Sequence, residues 1–450
     1  MPYTMDTTAH FITGADASST MRKVALICKG LSREDQEPVH MALLTDTSGS
    51  MDSHQKLVNC KKSMSFVLEL MRDTDAISIL TFGDDANVLS SRVETTSTNK
   101  LGLLGVIDSI ETHGCTNMSA GLLEARNTVE SRESVRKQGI ILLTDGHANL
   151  GVWDPDRMFQ IVKGIVDSRD GLIVHTIGYG FDHNVDLLSK IAEWTGGTYS
   201  VVNNLEDVAT VFGSVLGSMV STTAQTVKAY LPAGFKMIST LPSEKVGAGG
   251  TLVRVGDIQS EVSQILLLEV PVAAAHETIV ITGYDLVNHV SIQKEILIGP
   301  VPSMTDEESA NLDFAFVRVE VVALIQEIRS AIAAATPPSA SEKASFMGRI
   351  LNLSLRLDGV PGFLSSISNV MKADLTALQR ALNRPTRNRQ ELDVMSQHAN
   401  VYSGGRGMTS MGSTAEPHND NLQSPLMSRS SRQYAELLRT RSHNPDPTDD

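Results

Sequence analysis

The chain has 450 residues, of which 41% are hydrophobic and 20% are charged, a mixture that excludes a wholly disordered or membrane-embedded protein. At about 150 residues per domain, this length predicts two or three folding units. The net charge of -14 argues against nucleic acid as a partner, because phosphate backbones bind clustered Lys and Arg side chains.

The sequence shows neither a secretory signal nor a disulfide framework. The first twenty residues lack a basic start followed by an apolar stretch, and we expect 1–21 to be a flexible N-terminus. The three cysteines form no CxxC pair that could hold zinc. No segment offers about 18 uninterrupted apolar residues, so we expect no membrane span and a cytoplasmic location.

Residues 22–222 alternate short apolar runs with longer amphipathic stretches, which predicts an α/β fold with a doubly wound, mostly parallel sheet. The core of this domain is expected at 38–221, with one strand before it. The predicted strands are VALIC at Val24, HMALLT at His40, AISILTF at Ala76, GIILLT at Gly139, LIVHTIG at Leu172 and TYSVV at Thr198. Several are apolar on consecutive residues, as strands covered on both faces are.

The segments between these strands contain helical stripes and one hairpin. From Lys56 to Met71, apolar residues recur at spacings of three and four, which predicts a helix facing the core. A short strand from Asn87 to Val93 follows the turn sequence GDDA, so we expect an antiparallel hairpin at the edge of the sheet.

The rest of the chain changes character three times. Residues 223–302 hold strand-like runs broken by Pro and Gly, which predicts a β-rich segment that could recruit an N-terminal strand. Residues 303–384 show helical periodicity and predict a helical hairpin or small bundle. Residues 385–450 lose hydrophobic periodicity and are predicted to be a disordered tail.

Polar residues follow two of the predicted parallel strands. LLTDTSGSM runs from a strand into Asp46, Ser48 and Ser50, a spacing that can turn one carboxylate and two hydroxyls toward one centre. GIILLTDG delivers Asp145 in the same way, and Thr116 stands at a predicted helix start between them. Ligands of open α/β sheets collect at the carboxyl edge of the strands, so we expect these side chains to meet there.

Two carboxylates and three hydroxyls form a hard oxygen donor set. Such a set suits Mg²⁺, and also Mn²⁺ or Ca²⁺, better than metals that prefer thiolate or imidazole ligands. The two carboxylates roughly cancel the charge of the ion, and the neutral hydroxyls leave it attractive to another anion. An Asp or Glu carboxylate of a partner protein fits an open coordination position.

The three motifs DTSGS, CTNMSAGL and LLTDG resemble the metal-site motifs of the von Willebrand factor type A family, in the order and context that the family uses. The resemblance covers roughly 38–221. It implies a metal-ion-dependent adhesion site in which Ser48, Ser50 and Thr116 are hydroxyl ligands, and Asp46 and Asp145 bind directly or through water. The order of the remaining segments resembles eukaryotic proteins in which this domain is joined to a RING zinc finger. This chain has no cysteine and histidine array of that kind, which places a ubiquitin-ligase activity of its own in doubt.

Four functional hypotheses therefore remain open. A binding module that holds an acidic partner through the metal is favoured, with a non-enzymatic scaffold or an adaptor in ubiquitin-related complexes as alternatives. A metal-dependent hydrolase would need His113 or His147 as a base, although loop histidines are usually only loop histidines. Cys115 is interpreted as a small buried loop residue rather than a nucleophile, and His175 as a hydrogen-bonded strand residue.

Overall fold

The structure is a computed structural model of the full chain. It describes residues 4–11, 21–32, 37–129, 137–145, 148–168, 172–179, 183–202, 205–239, 241–274, 276–299, 306–333, 338–362 and 365–383. The predicted tail at 385–450 lies outside the described residues.

Strands and helices of the described residues are numbered here in chain order. The strands are β1 (Met5–Phe11), β2 (Met21–Gly30), β3 (Val39–Asp46), β4 (Ala76–Phe82), β5 (Ala86–Glu94), β6 (Lys137–Thr144), β7 (Ile173–Tyr179), β8 (Tyr199–Val202), β9 (Thr222–Leu231), β10 (Lys236–Met237), β11 (Ser243–Val246), β12 (Gly250–Gln259), β13 (Ser263–Pro271), β14 (Thr278–Asp285) and β15 (Val290–Gly299). The helices are α1 (Lys56–Leu70), α2 (Ser97–Asp108), α3 (Met118–Thr128), α4 (Pro155–Ser168), α5 (Val185–Thr195), α6 (Leu205–Val220), α7 (Asp306–Ala333), α8 (Ala340–Asp358) and α9 (Ser365–Asn383).

A six-stranded sheet in the order β5-β4-β3-β6-β7-β8 confirms the predicted doubly wound α/β fold. All neighbours pair in parallel except β4 and β5, which form the expected antiparallel hairpin at one edge. Every residue of β3 and β4 is buried, because α1, α2 and α6 cover one face of the sheet while α3, α4 and α5 cover the other. The chain leaves β3 toward β4 and later returns to β6 on its other side, so strand order switches between β3 and β6.

The remaining strands form a second sheet, in the order β10-β13-β2-β1-β15-β14-β9-β12-β11. Its two halves share one apolar core, and all its neighbouring strands pair antiparallel except β1 and β15. Two expectations for the first thirty residues need correction. Met5–Phe11 is a strand rather than a flexible segment. The VALIC strand, part of β2, belongs to this second sheet instead of preceding β3 in the first, which confirms the alternative that the β-rich segment recruits an N-terminal strand.

Packing explains both corrections. The side chains of Met5 and Ala9 point into the core of the second sheet, so β1 gains burial that its short sequence does not advertise. β2 pairs with β13 over nine residues from Met21 to Lys29. Consecutive apolar residues mark a covered strand but do not say which sheet covers it.

Three helices follow the second sheet. α7, α8 and α9 share a core of their own, as the helical periodicity predicted. α7 also packs on the second sheet, where Leu312 contacts Ala25 and Leu267. Among the described residues, no helix is long and apolar enough to cross a membrane.

A buried ion pair joins the two sheets. Lys137, the first residue of β6, is fully buried, and its Nζ lies 2.6 Å from Oδ2 of Asp257 on β12. The same Nζ donates a hydrogen bond of 3.1 Å to Oε1 of Gln225 on β9. Nearby, the guanidinium of Arg254 lies 4.6 Å from the ring centroid of Trp194 on α5. The doubly wound domain is therefore fixed to the second sheet at the end of β6 opposite to Asp145.

Candidate metal site

The predicted ligands gather where strand order switches. Asp46 is the last residue of β3, and Asp145 directly follows Thr144, the last residue of β6. β3 and β6 are neighbours in parallel register, with Leu44 opposite Leu142 and Thr45 opposite Leu143. Both carboxylates are therefore delivered to one edge of the sheet, at the switch point where α/β folds bind ligands.

Asp46 is held by hydrogen bonds at both carboxylate oxygens. Its Oδ1 accepts a 2.8 Å bond from the backbone N–H of Ser48, and its Oδ2 accepts a 2.6 Å bond from the hydroxyl of Thr144. The side chain has no solvent exposure, and this burial raises the pKa of Asp46 to about 6. The negative charge of Asp145 adds to the increase, while the hydrogen bonds from Ser48 and Thr144 oppose it. A nearby cation would favour the ionised form of Asp46.

A chain of oxygen atoms links the DTSGS loop to Asp145. The hydroxyl oxygens of Ser48 and Ser50 lie 3.0 Å apart, and the Ser50 hydroxyl donates a 2.8 Å bond to Oδ1 of Asp145. Ser48 and Asp145 are buried, whereas Ser50 is exposed. The row of oxygens thus begins inside the protein and opens to solvent at Ser50.

The segment that carries Thr116 is bound to the DTSGS loop through its backbone. The N–H of His113 donates to the carbonyl of Thr47 at 2.6 Å, and the N–H of Gly49 donates to the carbonyl of Gly114 at 3.2 Å. Thr116 itself is buried, and its N–H donates a 2.8 Å bond to Oδ1 of Asn149. These bonds fix Thr116 between the loops that carry Asp46 and Asp145.

Sequence reasoning missed two groups at this site. Lys56 places its Nζ 2.5 Å from Oδ2 of Asp145, and Thr144 bonds Asp46. Thr144 could have been found, because a hydroxyl directly before a strand-end aspartate reaches the same edge of the sheet. Lys56 gave no signal, because a lysine at the start of an amphipathic helix is usually solvated.

The donor set fits a small divalent cation. An octahedral ion with ligands at about 2.1 Å spaces neighbouring ligand oxygens about 3.0 Å apart. The two serine hydroxyls, at 3.0 Å, and the Ser50 hydroxyl and Asp145 Oδ1, at 2.8 Å, are joined by hydrogen bonds and lie close to this spacing. In the described part of the chain, no three His, Cys, Asp or Glu side chains form a group that could hold a metal. The candidate site instead combines two carboxylates with the hydroxyls of Ser48, Ser50 and Thr116.

The other residues singled out from the sequence have different surroundings. His113 is exposed, and its Nδ1 lies 3.2 Å from the carbonyl oxygen of Glu111. His147 lies outside the described residues. His175 is a buried residue of β7 that hydrogen-bonds the hydroxyl of Thr198 at 2.9 Å, as expected of a strand histidine.

Cys115 is exposed, so its interpretation as a buried loop residue was wrong. Its backbone N–H donates to Oδ1 of Asp84 at 2.8 Å. A hydrogen bond to the Asp84 side chain raises the pKa of the Cys115 thiol. A thiol with a raised pKa is less often the reactive thiolate, which keeps Cys115 a poor nucleophile.

Comparison with known proteins identifies the doubly wound domain. Residues 40–213 match the family model of the von Willebrand factor type A domain, so the chain contains such a domain. Domains of this family commonly bind a divalent metal ion and are often used for protein–protein interaction. The resemblance to RING-containing proteins is not tested by this match and stays a prediction.

Similar proteins share the domain and the wider fold. The chain is 30% identical over 216 residues to the uncharacterized protein YfbK of Escherichia coli (strain K12). The matched region covers 47% of this chain and 36% of YfbK. The chain thus spans about a third of that relative. A von Willebrand factor type A structure from Catenulispora acidiphila is similar at a TM-score of 0.60 and 14% identity, covering 84% of this chain and 90% of that one. The ArnB paralog VWA2 from Sulfolobus acidocaldarius is similar at a TM-score of 0.55 and 16% identity, covering 89% and 98%. The fold that these structures share extends beyond the matched domain.

Proposed function

We propose that the von Willebrand factor type A domain of this chain is a divalent-cation-dependent protein-binding module. Asp46, Ser48, Ser50, Thr116 and Asp145 would hold the ion, with Mg²⁺ as first choice and Mn²⁺ or Ca²⁺ as alternatives. The bound ion would supply a positive centre at the protein surface, which an Asp or Glu carboxylate of a partner protein can bind. The observation that carries this proposal is the row of serine and aspartate oxygens with the spacing of neighbouring metal ligands.

Burial and exposure in this row support binding at the surface. Asp46, Ser48 and Thr116 are buried, so their oxygens are held in place, while Ser50 faces solvent. An ion held from inside leaves its outward side for water or for a partner's carboxylate. Oxygen ligands without thiolate or imidazole favour hard cations over zinc or copper.

An apolar surface beside the site supports a protein partner. The loop after β6 is tied to Thr116, whose carbonyl accepts bonds from the N–H groups of Asn149 and Leu150 at 3.1 and 3.3 Å. The same loop exposes 65% of Trp153 and 38% of Leu150. Tryptophan is enriched among the residues that contribute most of the binding energy in protein interfaces. A partner would therefore offer a carboxylate flanked by apolar side chains.

Metal binding is tested by calorimetric titration of Mg²⁺ and Mn²⁺ into the full chain. We expect saturable binding that Asp46→Ala abolishes. Asp46→Asn is the matched control for shape, because an asparagine oxygen can still accept the bond from Ser48 while the negative charge is lost. Both variants should lose metal binding while keeping a cooperative thermal transition. Failure of the wild-type chain to bind either ion would contradict the proposal.

Partner chemistry is tested by selecting random displayed peptides on the full chain in Mg²⁺. Enriched peptides should contain Asp or Glu, release in EDTA, and lose binding when that acid is changed to its amide. Enrichment of the same peptides in EDTA would exclude a carboxylate bound to the metal.

One observation favours a second function, a scaffold in which the site is structural. Lys56 already contacts Asp145, so one of the two carboxylates has a cationic partner within the protein itself. In that case the wild-type chain binds no divalent ion, and Asp46→Ala lowers thermal stability without changing any metal response. The calorimetric titration separates the two functions.

A further inference from the structure

The two carboxylate oxygens of Asp145 have different partners. Oδ1 accepts the hydrogen bond from Ser50, whose hydroxyl continues to Ser48. Oδ2 contacts the ammonium group of Lys56 at 2.5 Å. The Asp145 side chain is fully buried, and only 10% of the Lys56 side chain is exposed. Lys56 therefore bonds the oxygen of Asp145 that is not in the row of candidate ligands.

The local backbone fixes the position of Lys56. A 3-10 helix, Gly49–Gln55, begins within the DTSGS loop, and Gln55 adopts the left-handed conformation with φ 57°. This conformation is energetically unfavourable for a residue other than glycine, and it persists only where the surrounding structure stabilises it. Lys56 is the first residue of α1, and its N–H bonds the carbonyls of Met51 and Ser53. Lys56 thus follows Ser50 by six residues, about two turns of 3-10 helix, and its backbone is held in place.

We propose that Lys56 is a positioning residue that stays bound to Oδ2 of Asp145 when a divalent ion enters the site. This rests on the proposed function. Two carboxylates and a divalent ion together carry no net charge, and Lys56 adds one positive charge. The lysine therefore weakens the hold of the site on its ion and strengthens the hold of the loaded site on an anionic partner. Lys56 thus lowers the affinity of the site for the ion and raises the affinity of the loaded site for a carboxylate.

The alternative is that Lys56 occupies the position of the ion and must leave before the ion binds. A lysine that occupied the position of the ion would contact the hydroxyls of Ser48 and Ser50. The contact of 2.5 Å is instead to Oδ2 of Asp145, the oxygen that Ser50 does not bond. The Ser50 hydroxyl donates its hydrogen bond to Oδ1 of the same carboxylate. The contacts favour a lysine that orients Asp145 from behind.

Removal of the lysine charge separates these assignments. In the full chain, Lys56→Met and Lys56→Gln should bind Mn²⁺ at least about tenfold more tightly than the wild type, because two cations on either side of one carboxylate repel strongly even at high dielectric constant. Lys56→Gln can still donate a hydrogen bond to Asp145, which protects the fold if the methionine variant is unstable. Lys62→Met, which removes an exposed lysine of the same helix, should change Mn²⁺ affinity less than about twofold.

A second measurement follows the anion. Acetate is titrated into the Mn²⁺-saturated chain, and water-proton relaxation reports its entry beside the ion. We expect the Lys56 variants to bind acetate several-fold more weakly than the wild type. Tighter Mn²⁺ binding with unchanged or stronger acetate binding would make Lys56 a displaced competitor and overturn the assignment. Unchanged Mn²⁺ affinity would also overturn it while leaving the proposed function intact, whereas no Mn²⁺ binding by any chain would overturn both.

Discussion

Replacement of Lys137 by methionine should loosen the junction between the two sheets. The lysine is fully buried, with Nζ 2.6 Å from Asp257 and 3.1 Å from Gln225. Methionine keeps the volume but leaves the Asp257 carboxylate, whose side chain is 9% exposed, without its cation. Loss of one partner of a buried ion pair costs about 3–5 kcal/mol. At roughly 2–4 °C per kcal/mol for a unit of this size, the transition temperature should fall by about 10 °C.

Tryptophan fluorescence during thermal unfolding measures this change at the junction itself. The chain has two tryptophans, and Trp153 is already 65% exposed, so the change in emission comes mainly from Trp194 beside Arg254. The matched control is the double variant Lys137→Met with Asp257→Asn, which removes both charges. Asparagine at 257 keeps an oxygen for the N–H of Thr226, now bonded at 3.1 Å. The double variant should recover more than half of the loss.

The result that would refute this reasoning is a single variant that melts within about 2 °C of the wild type, or a double variant that is no more stable than the single one. Metal affinity gives an independent check. Lys137 stands eight residues before Asp145, which is about 26 Å along an extended strand. The single variant should therefore bind Mn²⁺ as the wild type does wherever it is folded.

Three further predictions concern packing, the partner surface and the thiols. Gly197→Ala should lower the transition temperature by several degrees, because its Cβ would lie 2.1 Å from the carbonyl oxygen of Val174; Gly102→Ala, a helix position with nothing within 4 Å, should melt at or above the wild-type temperature. Trp153→Ala should leave Mn²⁺ affinity unchanged and weaken the selected acidic peptides about tenfold in fluorescence titration, and equal peptide affinity would remove Trp153 from the interface. A thiol reagent should label Cys115 alone in the native chain and all three cysteines in urea, since the other two are buried; two or more native labels would contradict the packing of β2 or α1.

The doubly wound core was predictable because parallel strands covered on both faces read as unbroken apolar runs. HMALLT and GIILLT predict β3 and β6 in this way, and the turn GDDA predicts the hairpin of β4 and β5. The second sheet was predictable as β-rich but not in its membership. β1 pairs with β2 and with β15, and the pairing of Ala9 with Ile298 joins residues nearly three hundred positions apart. No local pattern encodes such a pairing, since periodicity describes one strand at a time.

The candidate ligands were predictable for a different reason. Asp46, Ser48 and Ser50 alternate within one tight loop, and Asp145 directly follows the neighbouring strand, so short-range spacing predicts all four side chains at one edge of the sheet. Lys56 was not predictable, because its burial depends on the left-handed backbone at Gln55 and on the position of a carboxylate 89 residues away. Charge balance at the site thus came only from the structure.

The binding and hydrolase hypotheses make different demands on the groups around this site. A hydrolytic metal centre needs a general base close to an open metal position. The described candidate, His113, is exposed, and its Nδ1 lies beside the carbonyl of Glu111. Under the proposed function, Lys56 compensates the charge of Asp145, so an ion bound by the two carboxylates would keep a net positive charge and attract an anionic ligand. Under the proposed function, a protein carboxylate is the anionic ligand expected at such a centre.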